Sequence, residues 1–297
     1  MRHSDCEPNF WVNGLTLVDM DSLHMAAALL SAFLHASWNA AVKGSERPTD
    51  AMTGQMVVAA LVMTPVLIWT GLPAMKSWAW IALSTLVNMF TVKALLRAYE
   101  LAGFGVVYPT GRAVSVMLVV PLSTWLAGDR IPSAMLLGIC MIVGALILVA
   151  LGARRDQEWD ARALGWTMLA GCGIALYVMA DAQGVRESGS ALAYGALVSI
   201  TNGAAMAWRQ RHRGSPGLTV ARTARVSVPA GFVSALSYLL ILWVWSEAPI
   251  APSAALRDTS AVFAILISVV WLKEKFDLWR LAAVLLCAAA VPIMRLA

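Results

Sequence analysis

Long runs of apolar residues are the feature of this chain that most limits how it can fold. Breaking the sequence at charged residues, proline and glycine leaves ten such runs, each about 20 residues long. A helix rises about 1.5 Å per residue, so a run of this length crosses the roughly 30 Å hydrocarbon core of a bilayer. The sequence therefore predicts an all-α integral membrane protein with about ten transmembrane helices.

Composition supports this class of fold and excludes others. Of the 297 residues, 60% are apolar and 13% are charged, whereas an ordinary soluble domain carries about 25% charged residues to face water. Continuous apolar runs also exclude a β-barrel, because barrel strands alternate over segments of about ten residues. The chain is neither an ordinary soluble enzyme nor a membrane barrel.

The ten predicted spans form two groups of five. The first group covers residues 22–42, 51–71, 77–98, 104–127 and 133–152, and the second covers residues 163–183, 191–208, 226–245, 251–271 and 278–294. Most connections are short, so neighbouring helices must run antiparallel in a compact bundle.

The two groups repeat one another at an offset of 145 residues. An intramembrane arginine, a serine and an acidic–basic dipeptide recur: Arg112 with Arg257, Ser115 with Ser260, and Asp129–Arg130 with Glu274–Lys275. Each group holds an odd number of spans, so the second copy enters the membrane in the opposite direction. This is the inverted-repeat architecture of many secondary transporters.

The repeat gives the domain organisation. We divide the chain into a short polar N-terminal tail, a first five-helix repeat, a charged connecting loop and a second five-helix repeat. These cover residues 1–21, 22–152, 153–162 and 163–297.

Four basic residues fall within the predicted spans: Lys93, Arg97, Arg112 and Arg257. A charge in hydrocarbon is costly, so such residues generally face the bundle interior, a partner or a watery cavity. Arg112 lies too deep in its helix for easy snorkelling, so we expect it to bind substrate. Arg257 is a second substrate candidate, with helix capping or snorkelling as an equal alternative. Lys93, Arg97 and Glu100 share one helix face near a span end, which favours an interfacial ion-pair stripe.

Four further side chains are candidates for substrate contact, although plain helix packing explains the aromatic ones equally well. Trp38 and Tyr177 lie in the first helix of each repeat, and Asn39 needs an internal partner or a wet cavity. Tyr108 precedes Pro109 at the start of the fourth span. We expect an irregular helix there that exposes backbone polar groups to a cavity.

Asp181 and Glu100 are the candidate ion-coupling residues. A proton carrier must be protonated in one state and ionised in another, which requires burial. Arg97 lies three residues from Glu100 and would keep it ionised, so Asp181 is the better candidate. The alternative is that Asp181, near the predicted end of its span, is solvated or paired. Exchange without net proton movement is the competing mechanism.

The net charge of +5 comes with lysines and arginines concentrated in the loops after odd-numbered spans. This pattern indicates loops that stay in the cytoplasm, not a nucleic-acid partner, and would place both termini outside. The four cysteines and four histidines lack the spacing of a disulfide framework or a zinc site. We expect no metal and no cofactor.

Several segments resemble the EamA type of the drug/metabolite transporter superfamily. The segment "APIAPSAALRDTSAVFAILISVVWLKEKF", residues 248–276, is similar to the ninth span of that family, and residues 35–43, 106–112 and 174–195 resemble its first, fourth and sixth-to-seventh segments. The resemblance covers nearly the whole chain from residue 23. Asp258 and Asp129 depart mildly from the family pattern, since each keeps the charge on a shorter side chain.

The resemblance implies two inverted five-helix repeats, a central cavity and transport of small metabolites. It also implies cytoplasmic termini, opposite to the distribution of basic loops, so the orientation stays open.

Together these features predict a secondary transporter that moves a small polar or anionic metabolite by alternating access. We expect a multi-pass protein of a bacterial inner (plasma) membrane. Its expected partners are a small-molecule substrate and the lipid bilayer, and a homodimer is left open. The sequence has no nucleotide-binding motif, so an ion gradient or exchange would drive transport. The alternatives are a non-transporting scaffold or accessory subunit and, less favoured, a membrane-embedded enzyme, for which no catalytic constellation is visible.

Overall fold

The computed structural model describes residues 20–102, 104–154, 161–272 and 277–295, and within them every regular element is helical. The α-helices in chain order are α1 (Ser22–Lys43), α2 (Pro48–Thr70), α3 (Trp78–Leu101), α4 (Phe104–Leu122), α5 (Ser133–Arg154), α6 (Ala161–Ser188), α7 (Ala191–Arg209), α8 (Pro216–Glu247), α9 (Ile250–Asp258), α10 (Ser260–Leu272) and α11 (Leu278–Arg295).

Nine stretches of the described residues are long and apolar enough to cross a membrane. One of them, Ile250–Ile267, runs through the junction of α9 and α10. Helix α7 is 19 residues long but carries Ser199, Thr201 and Asn202, which lower its hydropathy. The predicted all-α fold is confirmed, and the protein is a multi-pass integral membrane protein.

The two halves of the chain pack against each other in reciprocal pairs. Helix α1 lies against α8, α3 against α6, α2 against α7, and α5 against α11. In the repeat, α1 corresponds to α6, α2 to α7, α3 to α8 and α5 to α11. Exchanging corresponding helices therefore turns the α1–α8 pair into the α6–α3 pair and leaves the α2–α7 and α5–α11 pairs unchanged, as an inverted repeat requires. Glu274 and Lys275, which complete the repeat in the sequence, lie outside the described residues.

Glycines let α2 approach its neighbours closely. A Cβ added at Gly203 of α7 would lie 2.6 Å from the Ala60 side chain and 2.7 Å from the Met56 carbonyl oxygen. One added at Gly54 of α2 would lie 2.8 Å from the Ser227 side chain on α8. Small residues at such contacts let helix backbones pack tightly in a membrane. Helix α2 is therefore fixed between α7 and α8.

Helix α6 is longer than predicted. It continues to Ser188 instead of ending near residue 183, so Asp181 lies about two turns inside the helix. The expectation that Asp181 sits at a helix end was wrong. The polar residues of this last stretch find partners on neighbouring elements, so they do not end the helix.

The irregular backbone expected at the start of the fourth span does not occur there; that span departs from a regular α-helix only at its end, Ser123–Ala127. Helix α4 stays helical through Pro109, because a proline near the start of a helix removes only one backbone hydrogen bond. The ninth span, predicted as one helix, instead ends α9 at Asp258. There the Thr259 N–H donates to the Leu256 carbonyl at 3.2 Å, three residues back, and the Thr259 hydroxyl donates to the same oxygen at 2.6 Å.

Candidate functional site

A cavity of about 730 Å³ enters the bundle from the side where α1, α3 and α7 end. Exposed charged residues, including Lys43, Lys93 and Glu100, line its mouth. Buried polar residues of α1, α4, α6 and α9 line its deep part. This volume falls in the usual range for small-molecule sites, about 300–1,000 Å³.

The structure brings together every site residue that the sequence indicated. The eight residues line the same cavity: Trp38, Asn39, Glu100, Tyr108, Arg112, Tyr177, Asp181 and Arg257. They come from five helices of both repeats, and their surroundings differ widely.

Arg112 on α4 is already paired inside the protein. It is 5% exposed, and its guanidinium donates to Asp258 Oδ1 at 2.7 Å and to His35 Nε2 at 2.6 Å. A guanidinium can only donate, so the His35 Nε2 accepts and the imidazole is neutral. The Tyr108 ring lies 5.2 Å from the Arg112 Cζ. Arg112 is therefore neutralised by a carboxylate of the second repeat, and this ion pair links the two repeats.

Arg257 on α9 is equally buried, at 5% exposed, but is not paired in this way. Its Cζ lies 5.6 Å from the centre of the Trp245 ring. The Nε of each arginine is buried without a hydrogen-bond partner, but the terminal nitrogens of Arg257, unlike those of Arg112, form no hydrogen bond or ion pair among the described residues. A buried polar group without a partner is costly. Arg257 therefore lines the cavity with unpaired terminal nitrogens, and it also lies in the last turn of α9, where the negative end of the helix favours a cation, so helix capping accounts for its position as well.

Asp181 on α6 is held by neutral hydroxyl groups. It is 1% exposed, and its carboxylate accepts hydrogen bonds from Tyr238 at 2.8 Å and from Tyr194 at 3.2 Å. The Tyr194 hydroxyl also lies 3.4 Å from the Ala180 carbonyl oxygen, so it has a second acceptor. Among the described residues, no basic side chain pairs with this carboxylate.

Glu100 lies in a different setting. Its Oε2 is 2.6 Å from Arg97 NH1, and both side chains are about 60% exposed at the mouth of the cavity. The structure thus forms an ion pair within the interfacial stripe suggested by the helix spacing. An exposed, paired carboxylate is poorly placed to carry a proton through the bundle.

Trp38, Asn39 and Tyr177 are half-buried on the cavity wall. The Asn39 amide donates to the His35 carbonyl one turn earlier at 2.9 Å. Trp38 contacts the His35 ring edge-on, at 5.1 Å between ring centroids. Contacts within α1 therefore supply an acceptor for the Asn39 amide and a packing partner for the Trp38 ring. Part of each side chain still faces the cavity.

The sequence reasoning missed four residues that build the site. They are His35, Tyr194, Tyr238 and Asp258. In the sequence Asp258 stands out only as a mild departure from the family pattern, and its place beside Arg257 does not reveal its partner, because adjacent side chains on a helix point in different directions. Each of these residues is a polar side chain inside an apolar run, and such a side chain needs a partner within the bundle. This feature of the sequence could have identified them as site candidates.

Residues 161–296 match the EamA-like transporter family. A crystal structure of another protein superposes with a TM-score of 0.69, covering 92% of this chain and 95% of its own, at 17% sequence identity. At that identity the likeness shows the fold alone. No curated protein matches the chain. The second half of the chain thus carries the match to the EamA-like transporter family, which is part of the drug/metabolite transporter superfamily.

Proposed function

We propose that this protein is a secondary transporter that moves a small anionic or polar metabolite by alternating access. The observation that carries the proposal is the buried Arg257 guanidinium, which lines a cavity of about 730 Å³ and whose terminal nitrogens form no hydrogen bond or ion pair among the described residues. A desolvated guanidinium favours a carboxylate or phosphate, which it binds through charge-assisted and often bidentate hydrogen bonds. Because Arg112 is neutralised by Asp258, we assign the anion to Arg257.

The mouth of the cavity supports the choice of an anion. The basic residues Lys43, Lys93, Arg97 and Arg209 line it, with Glu100 as the acidic side chain among them. Clustered charge of one sign in a cleft raises the local concentration of oppositely charged ligands. An anionic metabolite would therefore be drawn toward the cavity, and this effect would weaken at high salt.

We further propose that Asp181 couples transport to protons, with exchange as the second mechanism. Protonation of Asp181 would remove one acceptor site from its hydroxyl partners. The Tyr194 hydroxyl would then donate to the Ala180 carbonyl oxygen, which lies 3.4 Å away, and its oxygen would accept the new O–H of Asp181, 3.2 Å away. This arrangement supports a carboxylate that changes its protonation state without leaving a buried donor unsatisfied.

The mouth lies on the side of the basic loops, near Arg47, Arg209, Arg211 and Arg222. The positive-inside rule then has the cavity opening toward the cytoplasm in this conformation. A reporter fused to the C-terminus tests this directly, because it would be active only on one side of the membrane.

Flux measurements in proteoliposomes test the transport function. Radiolabelled carboxylates, phosphates, neutral analogues and cations would be compared with and without a proton gradient. We expect uptake or exchange of at least one anionic class, lost in Arg257→Ala and retained in Arg222→Gln, which changes an exposed arginine. A wild-type protein that moves none of these compounds would instead support a scaffold or accessory subunit.

A further inference from the structure

Asp129, whose equivalent in the second repeat is Glu274, is a buried carboxylate that does not line the cavity. It follows α4 and lies at the membrane side where α6 and α8 end and α9 begins, opposite the mouth of the cavity. Its side chain is 7% exposed. A carboxylate so well buried needs specific partners.

Those partners are the first backbone groups of α9. Asp129 Oδ2 accepts from the Ile250 N–H at 2.7 Å and lies 3.4 Å from the Ala251 nitrogen. The positive end of a helix macrodipole favours a carboxylate at this position. Asp129 belongs to the first repeat and α9 to the second, so the contact joins the two repeats.

Arg186 completes the cluster from α6. Its Nε donates to the Trp245 carbonyl at 2.9 Å and its NH2 donates to the Ala248 carbonyl at 2.8 Å, at the end of α8. Its NH1 also lies 4.0 Å from Asp129 Oδ1. Arg186 therefore holds the end of α8 while Asp129 holds the start of α9.

Helix α9 connects this cluster to the cavity. It is nine residues long, with Ile250 at one end and Arg257 near the other. It separates from α10 at Thr259, where the regular hydrogen-bonding pattern is interrupted. Such a break lets a short helix move as a unit relative to its continuation. Movement of the start of α9 would therefore displace Arg257.

We propose that Asp129 and Arg186 form a gate that keeps the side opposite the mouth closed. Opening of that side requires Asp129 to leave the start of α9, and the movement of α9 carries the cavity arginine with it. The gate rests on the proposed alternating-access function, because only a transporter needs both sides to open in turn. Its test uses no substrate, so the two ideas can fail separately.

Thiol labelling in nanodiscs, where both membrane sides are accessible, tests the gate. In a cysteine-free background, Ala254→Cys reports on the buried stretch of α9 next to the gate, and Thr49→Cys reports on the mouth. The probe is a charged, membrane-impermeant methanethiosulfonate. Asp129→Asn should raise the labelling rate at position 254 about tenfold, the scale of one hydrogen bond to a charged group. Labelling at position 49 should fall.

Matched controls lie next to the gate residues. Arg186→Gln should act in the same direction as Asp129→Asn, whereas Arg130→Gln and Glu187→Gln change exposed neighbours and should leave both rates unchanged. Unchanged labelling at position 254 in both gate variants would overturn the proposal. A parallel rise at both reporters would also overturn it, because that result indicates general loosening of the fold.

Discussion

Arg112 and Arg257 occupy equivalent positions in the two repeats and are equally buried, yet they have different environments. The residue after Arg112 is Ala113, whereas the residue after Arg257 is Asp258. Asp258 reaches across to Arg112, and Ala113 has no carboxylate to return to Arg257. One side-chain difference between the repeats thus makes one arginine a structural cross-link and leaves the other available to a ligand.

The backbone around the two arginines also differs, with the more regular backbone around the paired Arg112. Arg112 lies in the middle of a continuous helix, α4, whereas Arg257 lies two residues before the break at Thr259. The fixed arginine is in a continuous span and the available one is on a short helix. A ligand-binding group is better placed on the segment that moves.

The largest expected effect is on stability, when the ion pair between the repeats is broken. Arg112→Ala leaves Asp258 buried and unpaired, which should cost about 3–5 kcal/mol of unfolding free energy. The paired change Arg112→Met with Asp258→Leu should recover most of it, since apolar replacement of both partners is often neutral. Thermal unfolding of the purified variants measures this. A fully stable Arg112→Ala variant without flux would return the substrate role to Arg112.

The next effect is on transport, when the available arginine is changed. Arg257→Ala should lower flux about 100-fold at normal membrane abundance, because the anion loses charge-assisted hydrogen bonds. Arg257→Lys should lower it about tenfold, since lysine keeps the charge but loses the planar fork. Initial flux rates normalised to the amount of reconstituted protein decide the matter. Wild-type flux in Arg257→Ala would refute the comparison between the repeats.

Moving the counter-ion to the other repeat tests the comparison most directly. In the double variant Ala113→Asp with Asp258→Ala, the new carboxylate should neutralise Arg257 and leave Arg112 available. We expect flux to fall no more than about tenfold, because the new ion pair keeps both buried charges compensated. The readout is flux of this variant beside Asp258→Ala alone. If the double variant is no better than Asp258→Ala, the repeats are not interchangeable in this way.

The smallest and most specific effect concerns Asp181. Asp181→Asn should remove substrate-driven proton movement. Tyr238→Phe deletes one hydrogen bond to the ionised carboxylate and should shift the pH profile of transport to higher pH by about one unit. A pH-sensitive dye inside liposomes measures both. Glu100→Gln serves as the control, because that carboxylate is exposed and paired with Arg97. Full proton movement in Asp181→Asn would favour exchange.

Local sequence predicted those parts of the site that depend on chain position. The depth of Arg112 and Arg257 in apolar runs indicated that both would be buried, and the structure shows both at the same cavity. The sequence did not show which buried charged residues pair with each other. Asp258 lies next to Arg257 in the chain but pairs with Arg112, which is 146 residues away. Arg186 follows Asp181 by only five residues in the same helix but contacts α8 and Asp129.

The sequence by itself determined that the chain crosses a membrane many times in two related halves. Hydrophobic length and the recurrence of charged residues are properties of the chain read in order, and a bilayer imposes the same length on every span. Only the tertiary structure decided which buried charges neutralise each other. That choice depends on how helices from opposite halves approach one another, because charged groups in a low-dielectric interior are stabilised only by partners within a few ångströms. The availability of Arg257 is a consequence of that packing.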